Sequence, residues 1–169
     1  MYTIRDAREE DAKALIDIYS YYVLNTAVSF EYEVPSEEEF KQRIRNIKSK
    51  FPYLVATDGD VIVGYAYASS YSTREAYSIT AASSIYVDKD LRRQGIGSLL
   101  YRELEARLKA QGIVNLLAGS AWRDEEDEYL SHDSHDFHVN MGYTKVAHMR
   151  EIGIKFDRRY DLLWLQKKL

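Results

Sequence analysis

The chain has 169 residues, a length that fits one domain able to bury roughly 70% of its unfolded surface. It contains no cysteine, which excludes disulfide scaffolds, thiolate zinc sites and a cysteine nucleophile, and its net charge of -4 argues against a polyanion-binding protein. Met1 leads straight into Tyr-Thr-Ile-Arg-Asp with no basic-then-apolar leader, and no apolar run approaches the roughly 20 residues that span a bilayer, so a cytoplasmic protein without membrane or nucleic-acid partners is expected.

Tyr2 to Arg5 alternates as a strand, and Asp6 with Glu9 reads as a capping box opening a helix that carries Ala12, Leu15, Ile16, Tyr19, Tyr22 and Val23 on one face. Ser36 with Glu39 reads as a second capping box, and Phe40, Ile44 and Ile47 stripe the next helix, which Phe51-Pro52 ends. Tyr53 to Thr57 and Val61 to Tyr71 form a hairpin across Asp58-Gly59-Asp60. Ser83 to Val87 is a strand, followed by Arg92-Arg93-Gln94-Gly95-Ile96-Gly97. A helix with Ile96, Leu100, Leu104 and Leu108 at i, i+4 spacing then runs to Gly112. Val114 to Ala118 is a strand, Ser134 to Met141 a short helix, and Tyr143 to His148 and Leu162 to Leu165 are the last strands. The predicted class is α+β: a mixed, mostly antiparallel sheet with helices on both faces, and a β-α-β unit in its second half.

Arg92-x-x-Gly95-x-Gly97 is the sharpest local signal. Two glycines between strand and helix let backbone N–H groups approach an anion, the helix N-terminus adds partial positive charge, and Arg92 or Arg93 adds a full one. The loop lacks the Gly-Lys-Ser/Thr of a P-loop and has Leu100 where a dinucleotide fingerprint needs its third glycine. Spacing alone leaves it between a phosphate loop and an ordinary glycine-containing turn.

The same loop resembles the hallmark of the GNAT N-acetyltransferase family, where Arg/Gln-x-x-Gly-x-Gly/Ala binds the pyrophosphate of acetyl-CoA. The chain is most similar to the family's phosphinothricin and methionine sulfoximine acetyltransferase-like branch. The segments that carry the likeness run in order along nearly the whole chain. They are Asn25 to Glu31, Val63 to Ala68, Arg74 to Tyr77, Ser84 to Val87, the Arg92 loop, Phe137-His138-x-x-Met141-Gly142-Tyr143, and Gly153 to Phe156 with Asp161. The resemblance implies one GNAT domain over 1–169, acetyl-CoA as cosubstrate without a metal, and a homodimer acting on a small amine.

It also implies roles by position. Ile85 and Val87 would bond the pantetheine arm through their main chain, and Arg92, Arg93, Gln94, Gly95, Ile96, Gly97 and Ser98 would wrap the pyrophosphate. The family's coenzyme-contacting asparagine is replaced by Ser131, His132 and Asp133, with Ser134 as the candidate contact. His138 stands where the branch carries a histidine and would act as general acid toward the coenzyme A sulfur; the alternative is a structural histidine. The branch's glutamate general base is absent, because Ala82 occupies its position. Glu31 and Glu75 are the candidate replacements, or else ordinary surface acids. Arg74 would hold an acceptor carboxylate with its guanidinium fork, or stand as a solvated charge, and Tyr77 would line the same pocket.

Asp124 to Glu128, His132 and His135 read as a solvated segment rather than a metal set. Two other functions compete: a peptide or protein N-terminal acetyltransferase that uses Glu125 to Glu128 to attract a cationic substrate, and a degenerate acyl-CoA-binding protein made plausible by Ala82. Tyrosine is overused, 15 against 5 Phe and 2 Trp. Most of these, including Tyr19, Tyr22, Tyr65, Tyr67 and Tyr86, fall on apolar faces, with Tyr77 and Tyr32 nearer the expected acceptor site. Without a cysteine to carry the acetyl group, direct transfer is expected.

Overall fold

A computed structural model describes residues 1–169. Strand β1 (Tyr2–Asp6) pairs antiparallel with β2 (Tyr53–Asp58), which turns at Gly59, with φ of +58°, into β3 (Val61–Ser70). β4 (Thr80–Val87) lies antiparallel to β3, and helix α3 (Ile96–Ala110) then crosses over to β5 (Asn115–Trp122), parallel to β4. β6 (Thr144–Lys155) and β7 (Arg158–Lys168) form a closing hairpin, and the seven-stranded order is β1-β2-β3-β4-β5-β7-β6. The expected class and the β-α-β unit are both present.

Helices cover the two faces unequally. On one face the leucine stripe of α3 (Leu100, Leu104, Leu108) packs on Leu54, Ala66, Leu116 and Leu163, joined by Phe137 and Met141 from around α4 (Asp133–Asn140). On the other, α1 (Ala12–Asn25) and α2 (Glu37–Lys48) bring Leu15, Tyr19, Phe40 and Ile44 onto Tyr53, Val55 and Tyr65. Strand β2, sandwiched by both, is buried from Tyr53 to Thr57, as its unbroken apolar run requires. The tyrosine excess belongs largely to this second layer, where Tyr19, Tyr22 and Tyr65 are buried and Tyr67 and Tyr86 pack against them.

Three local expectations need correction. Asp6 and Glu9 do not cap α1. The chain first makes a 3-10 turn over Glu9–Asp11, so it is the Asp11 carboxylate that accepts from the Arg8 N–H at 2.8 Å and from Arg5 at 2.7 Å. Asp6 and Glu9 instead pair with Arg107 and Arg45. At α2 the Ser36 hydroxyl accepts from the Glu39 N–H at 3.1 Å as expected, but the Glu39 carboxylate turns to Arg43 at 2.6 Å, so only half the box forms. The last two strands run well past Tyr143–His148 and Leu162–Leu165, because β6 is an exposed edge with a bulge between Met149 and Gly153 and shows no alternation to read.

The feature that positions the site is a divergence. β4 and β5 pair only from Thr80 with Asn115 to Ser83 with Ala118, yet the strands continue to Val87 and Trp122. Beyond Ser83 the β5-facing edge of β4 has no strand partner, and its backbone N–H and C=O groups face a gap.

Candidate active site

The gap opens into a cleft of about 490 Å³ between the end of β4, the N-terminus of α3 and the N-terminus of α4. Two positive-φ residues shape its floor, Arg93 at +63° and Gly95 at +83°. Gly95 takes the N-cap place, so no side chain caps α3 and its first-turn N–H groups stay open to a ligand. Gly97 is needed for closeness: a Cβ there would stand 3.0 Å from the Phe137 ring, so α3 and α4 could not approach as they do.

The sequence-predicted coenzyme residues converge here with one exception. Ile85, Val87, Arg92, Arg93, Gly95, Ile96, Gly97, Ser98 and Ser134 all line the cleft. Gln94 does not, because its side chain turns back to accept from the Tyr2 hydroxyl at 2.7 Å. The Val87 carbonyl already accepts from the Tyr22 hydroxyl, which fixes the end of β4. Across the mouth, Arg93 pairs with Asp133 at 2.7 Å and Arg92 approaches the same carboxylate at 3.7 Å. The two arginines hold that carboxyl below its usual range.

Val28, Ile85 and Ser134 also line a second, smaller cavity of about 50 Å³ set deeper in the β4/β5 gap. Part of its polar lining is a hydrogen-bonded chain. Ser83 Oγ lies 3.1 Å from the Tyr101 hydroxyl, which lies 2.8 Å from His138 Nε2, while His138 Nδ1 lies 2.6 Å from the Ser134 carbonyl oxygen. A carbonyl only accepts, so Nδ1 carries the imidazole proton. Burial lowers the His138 pKa from its usual 6.5, which keeps the ring neutral, so Nε2 is an acceptor and Tyr101 donates to it. The Ser83 hydroxyl in turn donates to Tyr101. Burial likewise raises the Tyr101 pKa and keeps the phenol protonated. Sequence reasoning finds His138 but misses Tyr101 and Ser83. Tyr101 follows Leu100 in an apolar stripe, and nothing in that spacing marks its hydroxyl as partnered.

The acceptor-side expectations fare differently. Ala82 sits on β4 beside Ser69 and Leu117 and offers no proton acceptor. Glu31 is not free to replace it: Arg43 reaches its two oxygens at 2.6 and 3.2 Å, and the Tyr19 hydroxyl donates to it at 3.1 Å. Glu75 is exposed in a 3-10 turn, Glu75–Tyr77. Arg74, just before that turn, is exposed, and Tyr77 packs edge-on against Tyr71, which meets Trp164 in the same way at 6.2 Å. Tyr71, Tyr77 and Trp164 thus form an aromatic cluster that lines neither of the two cavities. Tyr32 lies elsewhere, its hydroxyl donating to the Ile154 carbonyl on β6.

The acidic segment is largely neutralised. Asp127 pairs with Arg123 and Arg158, and Glu128 pairs with Arg158. His132 stacks on Trp122 at 4.0 Å, and no group of three or more His, Asp or Glu side chains converges as a metal site. No helix is long and apolar enough to cross a membrane.

Comparison with known proteins agrees with this geometry. Residues 4–164 match the acetyltransferase (GNAT) domain family model. A phosphinothricin N-acetyltransferase of Streptomyces coelicolor is 34% identical over 98% of this chain and 95% of its own. An L-methionine sulfoximine/L-methionine sulfone acetyltransferase of Pseudomonas aeruginosa is 30% identical over 99% of this chain and 94% of its own. The crystal structure of a GNAT-superfamily phosphinothricin acetyltransferase from Sinorhizobium meliloti, in complex with acetyl-CoA, superposes with a TM-score of 0.90 at 32% identity, covering 99% of this chain and 88% of that one. With an uncapped helix N-terminus flanked by arginines at a parted β4/β5 pair, and a family match spanning nearly its whole length, the chain belongs to the GNAT acetyltransferase family.

Proposed function

We propose that this chain moves the acetyl group of acetyl-CoA directly to the amine of a small amino-acid-like acceptor, of the phosphinothricin or methionine sulfoximine type. The observation that carries the reading is the continuity of three chemically distinct surfaces. The open N–H groups of α3 with Arg92 and Arg93 suit a pyrophosphate, the edge of β4 left without a strand partner at Ile85 and Val87 suits an amide-bearing arm, and the Ser83–Tyr101–His138 cavity suits an acyl group. Acetyl-CoA supplies the activated thioester. Full-length relatives bearing these activities give the acceptor class.

Transfer to an amine forms a C–N bond, breaks the C–S bond, takes a proton from the nitrogen and gives one to the sulfur. The hydrogen-bonded chain is oriented to take the first of these: a proton entering at Ser83 displaces one onto Tyr101, and one from Tyr101 onto His138 Nε2. Run in reverse, the same chain returns the proton to the departing thiolate. His138 thus serves as a proton reservoir behind Tyr101 before it serves as an acid, and it supplies the acceptor that Ala82 removed. Glu31, tied to Arg43 and Tyr19, shapes the acceptor wall. Arg74 holds the acceptor carboxylate beside Tyr77.

The peptide-acceptor alternative keeps only Glu125 and Glu126 of its acidic run, because Asp127 and Glu128 already pair with Arg158. We further propose a cytoplasmic homodimer, with exposed Val146, Met149, Ile152 and Ile154 on β6 as the apolar surface a second copy covers; sedimentation equilibrium tests it.

The decisive assay is thiol release from acetyl-CoA across methionine sulfoximine, phosphinothricin, plain amino acids and polyamines. Turnover confined to the amino-acid-like amines is expected. Calorimetric binding of acetyl-CoA without turnover of any amine would convert the reading to an acyl-CoA-binding protein, and absence of binding would remove both.

A further inference from the structure

One buried ionisable group takes no part in the scheme above. Lys155, at the end of β6 and 3% exposed, places its ammonium between two carbonyl oxygens, that of Thr26 at 2.8 Å and that of Ser29 at 2.7 Å. Its partners are carbonyls, not a carboxylate. Desolvation lowers its pKa from the usual 10.5, partly offset by the field of Glu31. A buried ammonium is costly to keep, and an apolar side chain of similar shape would avoid that cost wherever the two carbonyls could find other donors. What the charge secures is therefore the position of those carbonyls.

They lie in the segment joining α1 to α2, and they bracket Val28. Val28 is the residue of that segment that lines both the 490 Å³ cleft and the deeper 50 Å³ cavity. The β6/β7 hairpin grips the same segment at two further points. Gly153 leaves room for the Phe30 ring, which an added Cβ would overlap, and the Ile154 carbonyl accepts from the Tyr32 hydroxyl. A third hold comes from outside the hairpin, where the Ala27 N–H donates to the Tyr129 carbonyl at 2.9 Å. Within the segment, the Ser29 hydroxyl lies 2.7 Å from the Tyr19 hydroxyl that also holds Glu31.

We propose that Lys155 is a positioning residue for acetyl transfer: its ammonium clamps the 26–31 segment to the β6/β7 hairpin and so sets Val28 as the acceptor-side wall of the reacting cavity. This rests on the acetyl-transfer reading given above. The pyrophosphate end of the coenzyme cleft, Arg92 to Ser98, is built from the turn after β4 and the start of α3, and the clamped segment reaches that cleft only through Val28.

The test is Lys155→Met in the full chain, with Gly153→Ala as a second perturbation that displaces Phe30 from the same clamp without touching the charge. Both are expected to lower kcat/KM for the amine about tenfold or more, chiefly through KM, while the calorimetric Kd for coenzyme A stays within about twofold. Hydrogen exchange at Ala27 and Val28 is expected to accelerate in both. Equal losses in coenzyme affinity and amine kcat/KM, or unchanged exchange at 26–31, would overturn the proposal. If Lys155→Met fails to fold, Gly153→Ala carries the same readouts. A wild-type chain inert toward every amine would refute the acetyl-transfer reading itself, while the exchange and coenzyme measurements would still decide whether Lys155 holds the segment.

Discussion

Replacing Tyr101 by Phe isolates the proton chain from everything around it. The ring is fully buried and packs against Phe137, His138 and Tyr143 with centroids 5.2 to 5.9 Å away, contacts that phenylalanine keeps. Only the oxygen is lost, and with it the bonds to Ser83 and His138 Nε2. Ser83 retains the Leu117 carbonyl at 3.4 Å as an alternative acceptor, whereas Nε2 becomes an orphan inside a residue 3% exposed. One buried acceptor left unpaired costs about 1–3 kcal/mol. In a chain of this length, at about 2–4 °C per kcal/mol, that lowers the Tm by roughly 2–12 °C in scanning calorimetry. The same deletion cuts the route from the cavity to His138, so kcat in the thiol-release assay should fall about 100-fold, the lower part of the range for general acid–base catalysis. Tyr101 lines the small cavity and not the coenzyme cleft, so coenzyme A affinity should stay within about twofold. A lowered Tm with unchanged kcat would show that protons do not travel this way. An unchanged Tm would show that the Tyr101–His138 bond does not exist in solution.

Gly95→Ala meets no atom within 4 Å but must hold φ at +83°, so it should destabilise by about 1–2 kcal/mol in denaturant titration and weaken coenzyme binding in calorimetry; full retention of both would mean that the loop conformation is not the bound one. Asp133→Asn frees Arg92 and Arg93 from their internal partner, so acetyl-CoA should bind about twofold tighter at low salt, with the gain fading toward 1 M salt; a salt-independent change would exclude an electrostatic origin. His138 has a folded pKa below the unfolded 6.5, so the unfolded state binds the extra proton. Stability should therefore be full above that value and decline as pH falls through it, and His138→Gln should flatten the decline. Ala82→Glu should raise turnover by placing a carboxylate at the acceptor side of β4; an unchanged or lower rate with intact coenzyme binding would leave the Tyr101 chain as sole proton acceptor.

What the sequence discloses and what it hides follow a physical line. The coenzyme side is local: a strand, a glycine-bearing turn and a leucine-striped helix lie within about 30 consecutive residues, each with its own periodicity or backbone signature. Gln94 is the one residue of the loop whose side chain turns out of the cleft, toward a partner, Tyr2, that is 92 residues away. The side we assign to the acceptor is assembled from separate elements. Glu31 reads as a free acid until α2 brings Arg43 against it, and Lys155 reads as one more surface lysine until the β6/β7 hairpin carries it under the α1–α2 segment. Asp11 rather than Asp6 secures the 3-10 turn that leads into α1, because that turn places its carboxylate on the Arg8 N–H and within reach of Arg5.

The strand order carries a consequence for biosynthesis. β7 is inserted between β5 and β6, so β6 has no sheet neighbour until residues 158–168 have been made. A nascent chain up to about residue 112 already holds β1 to β4 and the phosphate-facing turn, yet the β5 edge stays open until the final strand arrives. Lys155 cannot be seated before then, because the strand that carries it hangs on β7. The phosphate-facing turn can thus form before α4 closes over it, whereas the clamp proposed for Lys155 is completed only once residues 158–168 have been made.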